Sequence, residues 1–356
     1  MKNPAPLEFK PDLEEAAKRW DAFYHEEIIK RPVVCITASR EGAQLKKWPD
    51  YYEKVHGDMD EIIERALHNA KSTFWGGEAI PSFNISFGPD EIAVFCGAEI
   101  CWNEISYDTN WSRPFVEDWE KVLPLKIQEH NPLWKRLLEF YRRATEKMAG
   151  KMLVGLPDFH TNMDLLAALR GPEKLCIDLI DRPEVIDEAM KSAREIFPVV
   201  WNAVKKAGRM DELGYFQCIY SMEGAAMLQC DFSAMISPAM FRRWVLPALE
   251  EEAEIVKHAF YHWDGPGALV HEKDIVSSRG LFVLSYVPGE GHGRHIHHLD
   301  LLKRLQKEGK AVHVVGTIDD IKVMHKELMP NRVMYETWAS NQKEAEELLE
   351  WLVRNT

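Results

Sequence analysis

Seven short runs of β-branched and aromatic residues recur along the chain: Pro32–Thr37, Lys151–Leu156, Leu213–Tyr220, Ala259–His262, Leu281–Tyr286, Ala311–Gly316 and Arg332–Thr337. Between them apolar positions return at helical spacing over Pro132–Gly150, Pro183–Ala207, Pro238–His258, Leu299–Gly309, Ile318–Leu328 and Gln342–Arg354. Near-continuous apolar strands alternating with amphipathic helices predict a parallel sheet buried on both faces. Punctuation agrees with these boundaries. Asn131-Pro132 and Ser237-Pro238 are cap-plus-proline starts, Gly150 is a stop, and Asn341 with Glu344 reads as a capping box. An eighth strand is expected near Glu91–Glu99 or Val122–Ile127, within a tryptophan-rich stretch that reads as an insertion around residues 75–127. The expected architecture is one α/β domain over residues 1–356, a (β/α)8 TIM barrel with an N-terminal helical extension. No G-x-G-x-x-G opens a helix after the first strand, so no nucleotide cofactor is expected.

Charge narrows the partners. The chain carries 57 acidic and 44 basic residues, a formal net charge of −13. Nucleic acid and anionic membranes are bound mainly through Lys and Arg, so neither is expected. No window approaches the 18 apolar residues that a membrane span requires. Met1-Lys2-Asn3-Pro4 does not open a secretory signal, and the six cysteines (Cys35, Cys96, Cys101, Cys176, Cys218, Cys230) form no C-x-x-C pair. That pattern predicts reduced thiols in a cytoplasmic protein.

In a parallel barrel the groups that do chemistry come from the C-terminal strand ends. Polar residues collect there. One strand leads into Asp158-Phe159-His160 and another through Tyr220 into Ser221-Met222-Glu223. Others lead into His262-Trp263-Asp264, into Glu290-Gly291-His292, and into Glu336-Thr337-Trp338. His262 and Asp264 alternate, so they share a face roughly 7 Å apart at the backbone, a spacing that suits two metal ligands or a base and its orienting partner. A turn cap built from Asp264 and Gly265 explains the same residues. Asp158 and His160 repeat the D-x-H theme, although Asp158 also fits a helix cap. His271 follows one turn on, Asp231 precedes the Pro238 helix where it can cap or face the mouth, and Glu336 can complete a three-ligand set. The tract His292-Gly-Arg-His-Ile-His-His298 reads as a solvated loop, with His292 best placed to reach the mouth.

Four segments carry a family resemblance: Leu165–Pro172 (LLAALRGP), Asp231–Pro238 (DFSAMISP), Tyr261–Pro266 (YHWDGP) and Glu336–Ser340 (ETWAS). Through them the chain resembles the uroporphyrinogen decarboxylase superfamily, in the branch related to corrinoid-dependent methyltransferases. The resemblance implies a barrel with its pocket at the mouth. Authentic decarboxylases carry an N-terminal arginine-rich segment and a catalytic aspartate. Here Arg31–Thr37 offers no such segment and Asn84 stands at the aspartate's place, so porphyrin decarboxylation is not expected. The methyltransferase branch binds zinc through H-x-C and a later cysteine. Here His262 matches the histidine, Asp264 replaces the cysteine, and the late strand end offers Glu336.

The resulting expectation is methyl transfer from a small methylated substrate to a corrinoid protein or a thiol. Catalytic roles fall to His262, Asp264, Asp158 and His160. Zinc would sit on His262, Asp264 and Glu336. Asn84, Tyr220, Asp231, Trp263, His271, His292 and Trp338 would contact substrate, with Trp263 and the Glu290–His292 loop also meeting the corrinoid partner. A homodimer is compatible with this reading. An acid/base lyase or hydrolase and a non-catalytic ligand-binding barrel are the alternatives.

Overall fold

The apolar runs become strands, and most of them join one sheet. The computed structural model describes residues 3–103, 105, 106 and 108–356. Its strands are β1 (Val33–Ser39), β2 (Thr73–Gly77), β3 (Ser82–Asn84), β4 (Glu99–Trp102), β5 (Asn110–Arg113), β6 (Leu153–Gly155), β7 (Tyr215–Gln217), β8 (Ile219–Ser221), β9 (Ala225–Gln229), β10 (His258–Asp264), β11 (Leu281–Val287), β12 (Ala311–Val315) and β13 (Val333–Trp338). Seven form a sheet in the order β2-β1-β13-β12-β11-β10-β9. All its pairs are parallel except β1 with β2. The architecture is mixed α/β, and helices bury the outward residues of these strands, Tyr261, Trp263 and Tyr335 among them.

Beyond β9 the wall is made of short pieces. β3 and β6 pair in parallel. Leu156 N donates to Phe216 O at 3.0 Å. The Gln217 side chain then bridges both neighbours, donating through Nε2 to Pro157 O at 2.8 Å and accepting from Met227 N at 3.0 Å. A side chain thus replaces ladder bonds on this side. Among the described residues the ladder does not close into the expected eight-stranded barrel. The cause is local: Cys218 has φ 61°, which breaks the run expected over Leu213–Tyr220 and folds β8 back antiparallel onto β7.

Other expectations shift for comparable reasons. Glu91–Phe95 is a helix, Val122–Ile127 holds no strand, and β4 and β5 form a separate hairpin within the insertion. In place of the one strand expected there the chain has β2 and β3 further upstream, and β9 is additional. The Pro238–His258 helix is interrupted by a π-helical turn at Phe241–Val245. Pro247 has no N–H to return to Arg243, which accounts for the widened turn. Helix starts are better placed. Asn131 accepts from Leu133 N and Trp134 N, and Asn341 from Glu344 N.

The N-terminal helix Leu13–Tyr24 packs beside β8, at the sheet end opposite the strand termini that carry polar residues. There Arg31 is paired with the fully buried Glu78 (2.6 Å), and buried Lys10 donates to Trp75 O and Gly77 O. These charges are satisfied internally and close the bottom of the sheet. No helix among the described residues is long and apolar enough to cross a membrane.

Candidate functional site

Register places a belt of polar side chains on the inner face of the sheet. His262 on β10 pairs with Gln229 on β9 and with Ser285 on β11. Ser285 Oγ lies 2.9 Å from His313 Nδ1 on β12, and His313 Nε2 lies 3.0 Å from Glu336 Oε2 on β13. On the other side Gln229 Nε2 donates to Asp158, which sits 3.2 Å from His160 Nε2. His160 Nδ1 in turn lies 3.7 Å from Asp164. The belt therefore runs Asp164, His160, Asp158, Gln229, His262, Ser285, His313, Glu336 across six elements. Among the described residues His262 has no side-chain hydrogen bond, and it lines a cavity of about 470 Å³. Met227, Phe260, Ser285, His313 and the 62% exposed Trp338 line the same cavity.

Electrostatics give the two ends different protonation. Burial alone would lower the His160 pKa, but its hydrogen bond to Asp158 and the charges of Asp158, Asp164 and Asp231 raise it to about 10. His160 is therefore an imidazolium at neutral pH. Burial pushes Asp158 up, yet His160, the Gln229 amide and the His262 charge bring it below the usual carboxylate range. Burial and the Asp164 charge push Asp231 up to about 6. Asp164 accepts from the backbone N–H groups of Asp231 and Phe232 at 3.0 and 2.8 Å. At the far end, the His313 hydrogen bond holds Glu336 below its ordinary value. An ionised Glu336 only accepts, so His313 donates to it through Nε2, and Nδ1 is left to the Ser285 hydroxyl.

The residues expected at the site separate into two groups. His262 and Trp338 line the cavity, and Glu336 is bonded to His313, which also lines it. His160 and Asp231 line a second cavity, of about 560 Å³, with Asp164, Trp111 and Met235. Asp264 is half-buried one alternation beyond His262, and no ion pair joins the two among the described residues. Asn84 is exposed on β3, its amide lying over Gly155, where a Cβ would meet it at 2.0 Å.

Four placements correct the expectations. Tyr220 is buried at the opposite end, its hydroxyl on Met222 Sδ at 3.0 Å and its carbonyl accepting from Tyr24. Trp263 is fully buried on the outward face, with Nε1 donating to Ala268 O, so it presents nothing to substrate or partner. His271 is fully buried, stacked on Phe241 at 4.3 Å and bonded through Nε2 to Ser233 O; packing occupies it. His292 is exposed in its loop and turned onto Glu290 O. The loop member that reaches the cavity is His295, which donates from Nε2 to Tyr286 O and accepts from Val315 N on Nδ1.

The ligand set His262, Asp264 and Glu336 does not assemble. Among the described residues no three His, Cys, Asp or Glu side chains converge to hold a metal ion, and Glu336 is committed to His313. Gln229, Ser285, His313 and Asp164 were not anticipated. Their signal was present: a polar residue inside an apolar parallel strand, as in Ala-Val-His-Val-Val, can only face inward or be buried with a partner. Glu91 is a further buried carboxyl, pushed up to about 8 by burial, whose Oε2 accepts from Phe87 N. A larger groove of about 730 Å³ between helices Pro183–Ala207 and Leu246–Val256 holds none of the belt residues.

The class defined by fold and site is thus a mixed α/β protein with a mainly parallel seven-stranded sheet and an inward-facing belt of polar side chains. No protein-family description matches the chain, and no curated protein matches its sequence. Among solved structures it is similar to a methyltransferase from Methanosarcina mazei, with a TM-score of 0.62 and 16% identity over 96% of this chain and 97% of that one. At that identity what is shared is the fold.

Proposed function

We propose that the protein is an enzyme of methyl transfer. It takes a methyl group from an oxygen or nitrogen of a small substrate in the His262 cavity and passes it to a nucleophile at the mouth, a corrinoid on a partner protein or a thiol. The fold likeness over nearly the whole of both chains and the four superfamily-like segments support this reading. We read the sheet accordingly as a (β/α)8 barrel opened between β6 and β9. The observation that carries the proposal is His262: a ring with no hydrogen bond among the described residues, central in the belt and lining the cavity.

When the methyl group leaves for the acceptor, the donor heteroatom gains an electron pair and needs a proton. His262 is placed to supply it and to be reprotonated from solvent. Asp158 and Asp231 lie near enough for His262 to lower their pKa values. Zinc on the expected ligands does not fit the observed arrangement, and no step here depends on it. The two carboxylate–imidazole pairs, Asp158–His160 and Glu336–His313, equally support a second reading, acid/base elimination or hydrolysis of a small polar compound.

Purified protein with a reduced corrinoid protein or a thiol and a panel of O- and N-methyl compounds should form the methylated acceptor. His262→Ala should lower that rate at least a hundredfold while remaining folded. Product formation that ignores the acceptor would favour the second reading; an unaffected His262→Ala variant would remove His262 from the mechanism.

A further inference from the structure

Three residues of the belt stand in an order that methyl transfer does not use. Ser285, His313 and Glu336 lie on β11, β12 and β13, neighbouring strands of the sheet. Ser285 Oγ is 2.9 Å from His313 Nδ1, and His313 Nε2 is 3.0 Å from Glu336 Oε2. We propose that these three form a nucleophile–base–carboxylate triad, giving the protein a second activity: hydrolysis of small carboxylic esters with an apolar acyl group through an acyl-enzyme on Ser285. The claim does not rest on the methyl-transfer reading.

The hydrogen bonds run in the direction a triad needs. Glu336 takes the Nε2 proton of His313, which leaves Nδ1 to accept from the Ser285 hydroxyl. The two ring nitrogens are exchanged relative to the serine-protease arrangement, but a triad is defined by geometry and roles. Ser285 and His313 are 3% and 5% exposed, so solvent competes little for the bond between them. The other imidazole–carboxylate pair lacks this capacity. His160 stands between Asp158 and Asp164 and is already protonated, so it cannot act as a base. His313 has a carboxylate on one side and a hydroxyl on the other.

The cavity supplies the remaining parts. Ser285 and His313 both line it, and its volume of about 470 Å³ suits a small molecule. His262, the register partner of Ser285 on β10, lines it as well and has no hydrogen bond among the described residues. A neutral imidazole carries one N–H, and this one is free to donate to a carbonyl oxygen as it becomes an oxyanion. The acyl group would lie against Met227, Phe260 and Trp338. Arg294 is paired with Asp320 at 2.6 Å, and His295 is bonded to Tyr286 O and Val315 N. A charged acyl group therefore finds no free partner there, whereas an apolar one is covered.

The reaction balances with water as the only co-reactant. Ser285 Oγ attacks the ester carbonyl carbon and its proton passes to His313 Nδ1. The bond from that carbon to the alcohol oxygen breaks, and the alcohol leaves with the proton. Water then attacks the acyl carbon and gives a proton to Nδ1. The bond to Oγ breaks, Oγ recovers the proton, and the carboxylic acid departs.

A fluorophosphonate label and p-nitrophenyl esters test the claim on the full chain. Mass spectrometry should place the phosphonyl adduct on Ser285 of the wild type, a result that needs no variant to fold. p-Nitrophenyl butyrate should be hydrolysed, with kcat/KM at least about a hundredfold lower in Ser285→Ala. Glu336→Gln keeps a hydrogen-bonding side chain without the charge and should lower kcat about tenfold or more with KM little changed. The mono-p-nitrophenyl ester of succinate, whose acyl group is anionic, should react at least about tenfold more slowly than the butyrate. Absence of an adduct on Ser285, labelling without hydrolysis of any of these esters, or an undiminished rate in Ser285→Ala overturns the proposal. Preference for the succinate ester overturns the apolar acyl assignment.

Discussion

Replacing Asp158 with Asn tests the electrostatics of the site with little change of shape. Gln229 Nε2 can still donate to the asparagine carbonyl, so packing on that side is preserved. What is lost is the main partner of His160, whose pKa stands at about 10 against an ordinary 6.5. At 1.36 kcal/mol per pH unit, that gap corresponds to an order of 5 kcal/mol of folded-state stability. Asp158 supplies the largest favourable part, while Asp164 and Asp231 remain in the variant. A loss of roughly 3 kcal/mol at pH 7 is therefore expected, in line with breaking one member of a buried pair. The sign of the pH dependence follows from a raised histidine. The contribution is complete below pH 6.5 and disappears as pH rises through about 10. Urea unfolding of wild type and Asp158→Asn at pH 6, 7, 9 and 10.5 should show the difference shrinking toward high pH. Imidazole NMR should place the wild-type His160 titration far above that of an exposed histidine. A His160 midpoint near 6.5, or a variant within about 1 kcal/mol of wild type at pH 7, would refute the reasoning.

Further outcomes follow from groups away from the cavity. Glu252 is buried, accepts from Thr161 Oγ1 at 2.7 Å and is pushed up to about 8, so its ionisation opposes folding as pH rises from the ordinary carboxylate range through that value. Glu252→Gln should be close to neutral at pH 4 and gain stability relative to wild type progressively from there to pH 9, measured by urea midpoints. Asn131→Ala removes the acceptor for Leu133 N and Trp134 N and should cost about 1 kcal/mol, with no effect on ligand affinity. His271→Ala should lower the thermal midpoint by several degrees through loss of a buried stacked ring, roughly 2 kcal/mol, and leave ligand affinity unchanged. A matching loss of affinity at constant stability would return His271 to the site.

The strands that proved easiest to read are those buried on both faces and rich in Val, Ile and aromatic residues, such as β11 and β13. Their boundaries lie within one or two residues of expectation. β9 escaped because Ala-Ala-Met-Leu-Gln lacks β-branched residues, and its place is set by Gln217 and by pairing with β10, neither of which is local. The break at Cys218 was equally invisible, since a cysteine at positive φ is stabilised by its surroundings and not by its own preference. At the candidate site, attention to residues just past the strand ends singled out His262, Asp158, His160 and Glu336, which the structure places along the belt. It passed over polar residues within strands, so Ser285 and His313 were missed although they complete the belt. Trp263 shows the complementary error. It adjoins His262 in sequence, but period-two alternation sends it to the opposite face.

The central claim is that ligand binds on the His262 belt. A crystal structure with a substrate probe, the O- or N-methyl compound that is turned over fastest, should show it within hydrogen-bond distance of the His262 ring and lying against Trp338. A probe bound elsewhere, such as the outer groove lined by Lys191, Arg194 and Glu254, with the His262 cavity left unfilled, would contradict it.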